Sequence, residues 1–300
     1  MRLSVRLNLS LIAGVTIVSL AIALYQTKSE TRGLRRDLER QSADLAESLD
    51  KSAEPLVVSN AVPELEALVE AIDPFEARQE EALRAMEGGR YFIARADEIT
   101  FTTHLVVRSA LLRRFTSSAL FADVCADLIG PDVRLYWDQA VYKKPGTESP
   151  FPWHQDNGYA FVEPQQYLTC WVALTDATEE NGCPWVVPGL HRLGTLAHEY
   201  SDIGFVCLHD PEQAVAVPAS AGSIVVFSSL TPHSTGPNRT DAVRKAYIVQ
   251  FAPTGAAVIR GEPGGVTTRV IADDESRQYE VLRAGARVTQ PAHPPEAGCP

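Results

Sequence analysis

The chain has 300 residues, 45% hydrophobic and 22% charged, with a formal net charge of −11. That is the composition of a globular protein with enough apolar residues for a two-sheet core, arranged as one large or two small domains. The acidic balance and the lack of a basic stripe in the central part exclude a nucleic-acid partner, because phosphate binding needs clustered Lys and Arg.

Leu7 to Thr27 carries no charged residue between Arg6 and Lys28. At about 1.5 Å per helical residue it spans about 30 Å, so residues 1–28 are expected to form a transmembrane anchor, with residues 7–27 as the tether. Asn8, Ser10, Thr16 and Ser19 dilute the signal, and Ala21-Ile22-Ala23 leaves a cleaved signal peptide open. A buried or mis-started segment is a third reading. Lys28, Arg32, Arg35, Arg36 and Arg40 outnumber Arg2 and Arg6 on the other flank, which places the carboxy-terminal bulk on the cytoplasmic side. The five cysteines, Cys125, Cys170, Cys183, Cys207 and Cys299, are odd in number and form no C-x-x-C pair. They read as reduced thiols and agree with that side; a soluble cytoplasmic protein is the alternative.

Leu34, Leu38, Leu45 and Leu49 recur at helical spacing among charges, and Pro55 and Pro63 bracket a linker. Residues 29–63 are therefore expected to be an amphipathic juxtamembrane helix and linker. From Glu64 to Met86 the pattern predicts a helix interrupted near Asp73-Pro74, and Leu111 to Ile129 predicts a second helix. Strands are predicted at Tyr167–Leu174, Trp185–Val187, Val215–Val217 and Ser223–Ser228, the last running toward His233. Thr235-Gly236-Pro237-Asn238 marks a turn, and Arg244 opens another β-rich run through Phe251. If these two strands are antiparallel neighbours, His233 and Arg244 share a pocket. A domain over 64–260 is followed by an extension over 261–300 whose Pro-rich end, Pro291 to Pro300, is expected to be disordered.

The chemistry concentrates in His154-Gln155-Asp156, in His233, and in Arg244 eleven positions beyond it. In an extended strand residues two apart share a face, so His154 and Asp156 can hold one metal while Gln155 faces away. A second imidazole from another strand completes two His and one carboxylate, the facial set of a non-heme Fe(II) oxygenase with positions left for co-substrate and dioxygen. The Arg244 guanidinium can grip a carboxylate through two parallel hydrogen bonds, which points to 2-oxoglutarate.

Leu135-Tyr136-Trp137-Asp138-Gln139, Lys144-Pro145-Gly146, Trp153 through Asp156, Asn181-Gly182-Cys183, Val187 through His191, and His233 through Arg244 occur in an order that resembles the phytanoyl-CoA dioxygenase-like family of Fe(II)/2-oxoglutarate oxygenases. The resemblance covers roughly Leu65 to Pro253 and is strongest after Leu135. It implies a mainly β fold with flanking helices, a cupin-like double-stranded β-helix or jelly-roll. It implies His154, Asp156 and His233 as iron ligands and Arg244 as the grip on the distal carboxylate of 2-oxoglutarate. Gln139 falls where relatives contact the co-substrate, and Trp171 and Thr235 where they line the same pocket. Relatives that halogenate carry a small residue in place of the carboxylate; Asp156 favours hydroxylation.

Simpler roles are expected elsewhere. His191 is assigned a loop hydrogen bond; His104, His198, His209 and His293 show no partner pattern. Trp153 and Trp185 are assigned to the core. Asn157-Gly158-Tyr159 fits either a turn or the substrate entrance, and Lys143-Lys144 reads as a solvated loop before an anion trap. The expected activity is hydroxylation of a small organic molecule using Fe(II), 2-oxoglutarate and dioxygen, with release of succinate and carbon dioxide. The alternative is a membrane-tethered ligand-binding or sensory module that keeps the jelly-roll without turnover. The sequence names neither substrate nor oligomeric state.

Overall fold

In the strands over 133–143, 168–173, 224–228 and 244–253, alternate residues face opposite sides, and nearly all are buried. Such strands must be covered on both faces, and that requirement organises the fold. The structure, a computed structural model, describes residues 56–58, 62, 64–165, 167–261 and 267–290. The expected anchor, the juxtamembrane helix, Cys299 and the Pro-rich end lie outside the described residues. Among the described residues no helix is long and apolar enough to cross a membrane.

In chain order the elements are β1 (Leu56–Val58), α1 (Leu65–Arg84), β2 (Arg90–Tyr91), β3 (Ala94–Arg95), β4 (Ile99–Thr103), α2 (Ala110–Thr116), α3 (Ala119–Leu128), β5 (Val133–Lys143) and β6 (Phe151–His154). Then come α4 (Asp156–Tyr159, a single turn), β7 (Val162–Glu163), β8 (Leu168–Ala173), β9 (Pro184–Val186), β10 (Glu199–Ser201), β11 (Gly204–Val206), β12 (Val215–Ala216) and β13 (Ile224–Ser228). The chain continues with β14 (His233–Thr235), β15 (Arg244–Pro253), β16 (Ala257–Gly261), β17 (Thr267–Ile271), β18 (Glu280–Arg283) and β19 (Ala286–Arg287). The major sheet has the order β1-β13-β8-β15-β5-β4-β3-β2, and the minor sheet the order β12-β9-β14-β6. This is the mainly β, jelly-roll-like architecture the sequence implies.

The two-residue period of the strands sorts the core. Cys170 and Val172 of β8, Ile224 and Val226 of β13, and Tyr247, Val249 and Phe251 of β15 pack in one cluster with Leu68, Leu112 and Phe121 of the helices. Trp171, Ala173, Val225, Phe227, Ala246 and Ile248 turn the other way and meet Phe151 and Val186 of the minor sheet. The inward parity of β15 thus includes Arg244 and Gln250, both buried polar residues.

Three local expectations are corrected. Helix α1 passes through Pro74 without a break. Proline removes one intrahelical hydrogen bond, but the helix is tied to the major sheet on both sides of it. Asp73 accepts from Tyr142 Oη at 2.6 Å and from Lys245 Nζ at 2.8 Å, and Glu76 from Thr100 Oγ1 at 2.6 Å. The expected helix from Leu111 to Ile129 is two helices, parted at Ser117-Ser118. Thr116 Oγ1 and Ser117 Oγ donate back to the carbonyls of Leu112 and Arg113 at 3.0 and 2.9 Å, local bonds that compete with helix continuation. Finally, the sheets continue past residue 260. β18 pairs with β5, β17 pairs with β16, and Arg113 donates to the carbonyls of Ser276 and Glu275 at 2.7 and 3.0 Å.

Candidate metal and co-substrate centre

β6 and β14 are antiparallel neighbours in the minor sheet, with His233 directly opposite His154. Their ring centroids lie 4.1 Å apart. His154 Nδ1 is 2.8 Å from Pro152 O and His233 Nδ1 is 3.0 Å from Thr231 O. A carbonyl can only accept, so each Nδ1 carries the proton and each Nε2 keeps its lone pair for a ligand. Burial and the neighbouring His233 ring hold His154 well below the usual histidine range, so the imidazole stays neutral.

Asp156 reaches the same place by a different route from the one the strand alternation predicts. β6 ends at His154, and Asp156 opens α4. Its Oδ1 lies 3.7 Å from His233 Nε2 and 3.9 Å from His154 Nε2. Its Oδ2 accepts a hydrogen bond from Thr169 Oγ1, which in turn accepts from Gln250 Nε2 at 3.2 Å. One carboxylate oxygen is thereby occupied and the other left facing the histidines. Gln155 does face away: its amide joins the carbonyls of Gly194 and Leu230 and the N–H of Leu196, fastening two loops behind the metal strand. The three donor atoms of His154, Asp156 and His233 lie within 4.8 Å of one another. Two neutral imidazoles and a carboxylate oxygen are the donor chemistry of a facial Fe(II) site, and the residues present fit that ion.

Arg244 lies across the barrel. His233 and Arg244 do not stand on adjacent strands, as the turn between them suggests; β14 belongs to the minor sheet and β15 to the major sheet. The guanidinium is 1% exposed, Nη1 reaches only Val141 O at 3.5 Å, and Nε and Nη2 have no hydrogen-bond partner among the described residues. Burial lowers its pKa to about 10, which still leaves it charged. A buried cation with two open donors is costly unless a ligand satisfies them, and a carboxylate does so with two parallel bonds. The Trp171 ring lies 5.4 Å from its Cζ and flanks that position.

Lys143 overturns the solvated-loop reading. It is 1% exposed, faces Arg244 in the β5/β15 register, and donates to Thr235 O at 3.2 Å, Thr235 Oγ1 at 3.1 Å and Gly236 O. It therefore rivets the end of the His233 strand to the major sheet. Burial and the Arg244 charge push its pKa down to about 6, against three acceptors that favour the ammonium. Thr235 is occupied by this lysine. Lys144 pairs with Glu76 at 2.6 Å.

A cavity of about 430 Å³ opens onto His154 and Asp156. Gln139 lines it; its Oε1 accepts from Trp137 Nε1 at 3.2 Å. Tyr159 also lines it, with its ring 5.2 Å from His154, so of the two roles open to Asn157-Gly158-Tyr159 the structure shows both a helical turn and a pocket wall. Arg244, Trp171 and Thr235 are not among the lining residues. His191 sits buried in a 3-10 turn, Leu190–Leu193. His198, which showed no pattern in the sequence, accepts from Gln155 N at 3.0 Å and so supports the metal strand. Thr169 and Gln250 were likewise missed; the available signal was a polar residue inside each of two buried apolar runs. Asp138, in the resembling motif, is structural: it accepts from Leu105 N at 2.7 Å and Tyr247 Oη at 2.9 Å, and burial raises it to about 6.

A jelly-roll in which two histidines and a carboxylate converge has the construction of a mononuclear non-heme iron protein. The phytanoyl-CoA dioxygenase (PhyH) family model matches residues 53–246, and the chain belongs to that family. It is 27% identical over 143 residues to a phytanoyl-CoA dioxygenase of Arabidopsis thaliana, covering 46% of this chain and 50% of that one. It is 28% identical over 162 residues to a methylphosphonate hydroxylase of Gimesia maris, covering 54% and 61%. The chain thus spans about half to three-fifths of these relatives' length. Among solved structures, the epimerase SnoN in complex with Fe3+, alpha ketoglutarate and nogalamycin RO superposes with a TM-score of 0.58 at 21% identity, over 80% of this chain and 99% of that one, a likeness of fold. EvdO2 from Micromonospora carbonacea var. aurantiaca, complexed with 2-oxoglutarate, superposes with a TM-score of 0.52 at 26% identity, over 74% and 89%.

Proposed function

We propose that the protein is an Fe(II)- and 2-oxoglutarate-dependent dioxygenase that hydroxylates a small organic molecule. The observation that carries this reading is the pairing of the His154, Asp156 and His233 donor set with the open Nε and Nη2 of Arg244. His154, Asp156 and His233 hold the iron, Arg244 takes the distal carboxylate of 2-oxoglutarate, and Gln139 and Trp171 bound its path. Thr235 acts at one remove, through Lys143. The bound iron and co-substrate supply oxidation of a C–H bond by dioxygen, coupled to loss of carbon dioxide and formation of succinate.

The protein's own part is placement. Thr169 and the two backbone carbonyls fix the donor atoms, so little reorganisation is needed when the ion enters. The aromatic wall excludes water and orients the substrate bond toward the two histidines. Asp156 keeps the carboxylate in the ligand set, which supports hydroxylation over halogenation. Incubation of the protein with Fe(II), ascorbate, 2-oxoglutarate and a cell extract tests the assignment by mass spectrometry. A product heavier by one oxygen, with matching succinate, is expected; no succinate above the His233→Ala control contradicts it.

The sequence of residues 7–27 adds the proposal that this centre is tethered at the inner face of a membrane. Protease added outside spheroplasts is expected to spare the domain, and digestion there contradicts the topology.

A further inference from the structure

Eight of the cavity's seventeen lining residues are aromatic. Phe101, Trp137 and Phe151 stand with Tyr136, Tyr159 and Tyr167 around the approach to His154 and Asp156. Asp156, committed to the metal set, is the one acidic group on the wall, and no Lys or Arg lines it among the described residues. Of the cations near the wall, Lys143 is held on Thr235, Lys144 on Glu76, Arg95 on the carbonyl of Asp202 and Arg277 on Asp274, while Arg260 acts on Tyr136 from outside the lining. An anionic substrate such as an organophosphonate or a coenzyme A thioester would lose its hydration here without a cationic side chain on the wall to pair with, a large cost.

The wall also offers neutral hydrogen-bonding groups. Tyr136 and Tyr167 line the cavity, neither hydroxyl making a protein hydrogen bond among the described residues, and Gln139 lines it with Oε1 accepting from Trp137 and its amide N–H groups unused. These groups can pair with hydroxyl or carbonyl oxygens. A volume of about 430 Å³ lies within the range of pockets for small organic ligands.

The mouth points the same way. Tyr91, at the end of β2, and Phe92, on the turn that leads to β3, are 66% and 52% exposed and line the cavity. Phe92 adopts φ +51°, a left-handed conformation that a bulky side chain rarely takes without compensation. Its ring meets Tyr159 edge-on at 6.3 Å, and Tyr159 meets Phe205 edge-on at 5.1 Å. Exposed rings held in this manner leave faces and edges for a further ring to stack on.

Resting on the oxygenase reading above, we propose that this cavity takes an uncharged, ring-bearing organic molecule carrying hydroxyl or carbonyl groups, gripped between the aromatic walls and admitted over Phe92. Equilibrium dialysis of the full chain, loaded anaerobically with Fe(II) and 2-oxoglutarate, tests this with estradiol, flavanone and podophyllotoxin as neutral probes. Estradiol 3-sulfate, methylphosphonate and palmitoyl-CoA are the anionic comparisons. At least one neutral probe is expected to bind, and estradiol at least tenfold more tightly than its sulfate if it is that one. Phe92→Lys, at an exposed position, is expected to narrow or invert the preference against anions. Retention of palmitoyl-CoA or methylphosphonate in preference to the neutral probes, equal binding of estradiol and its sulfate, or retention of no neutral probe overturns the proposal. The visible band of the Fe(II) and 2-oxoglutarate complex, read in the same samples, separates the two claims. Neutral binding without the band sinks the oxygenase reading alone; the band with anionic preference sinks the substrate class alone.

Discussion

The two sheets contribute to the centre in opposite states of completion. On the minor-sheet side His154 and His233 each have Nδ1 tied to a carbonyl, and Asp156 has Oδ2 tied to Thr169, so each residue presents one free donor atom. On the major-sheet side Arg244 is buried with Nε and Nη2 open, and Lys143 crosses the gap to hold the His233 strand. One side is finished by the protein itself, whereas the other is left open for the proposed co-substrate. A metal site of this kind is preorganised, and a co-substrate site of this kind is strained until filled.

The contrast breaks most completely at the metal ligands. His154→Ala or Asp156→Ala is expected to abolish succinate formation and iron retention, measured by coupled succinate assay and metal analysis. Next in size, Arg244→Met is expected to raise the 2-oxoglutarate concentration needed for half-maximal turnover by about 100-fold, the size of a lost pair of charge-assisted bonds. The same variant sharpens the comparison: ligand-free protein should keep or gain thermal stability because an open buried cation is gone, while the stabilisation by 2-oxoglutarate seen in wild type disappears. A large loss of ligand-free stability in Arg244→Met would show that its donors are not open.

Thr169→Val should weaken iron binding by about 10- to 100-fold without unfolding the chain, in the manner of groups that orient metal ligands. A further effect is pH-dependent and belongs to Lys143. Its folded pKa, about 6, lies below the unfolded value near 10.5, so between those values the unfolded chain binds the extra proton and the contribution of Lys143 to stability rises with pH. Denaturation of wild type and Lys143→Met at pH 6.5 and pH 9 should show the balance moving toward wild type at the higher pH. No relative change would mean the lysine keeps its proton when folded.

The parts of this centre legible in the sequence are those where chemistry singles out a residue. His154, Asp156 and His233, which the structure brings together, and Arg244, proposed for the same site, are complementary groups, and the apolar runs that became β8, β13 and β15 announce themselves by composition. Which strands pair is a different matter. The turn after Thr235 reads locally as a hairpin, but the chain between Thr235 and Arg244 crosses from one sheet to the other, and only the register of both sheets determines that. The same limit hides Lys143, Thr169 and Gln250, whose inward direction depends on the pairing of β5, β8 and β15. Pro74 misleads for a related reason: tertiary ties at Asp73 and Glu76 outweigh a local helix breaker.

The most direct test of the central claim is anaerobic addition of Fe(II) and 2-oxoglutarate to the purified chain, followed by visible absorption. The account predicts a weak charge-transfer band that requires both additions, vanishes in His233→Ala and needs far more 2-oxoglutarate in Arg244→Met. A wild-type protein without the band, or a band indifferent to His233, would contradict it.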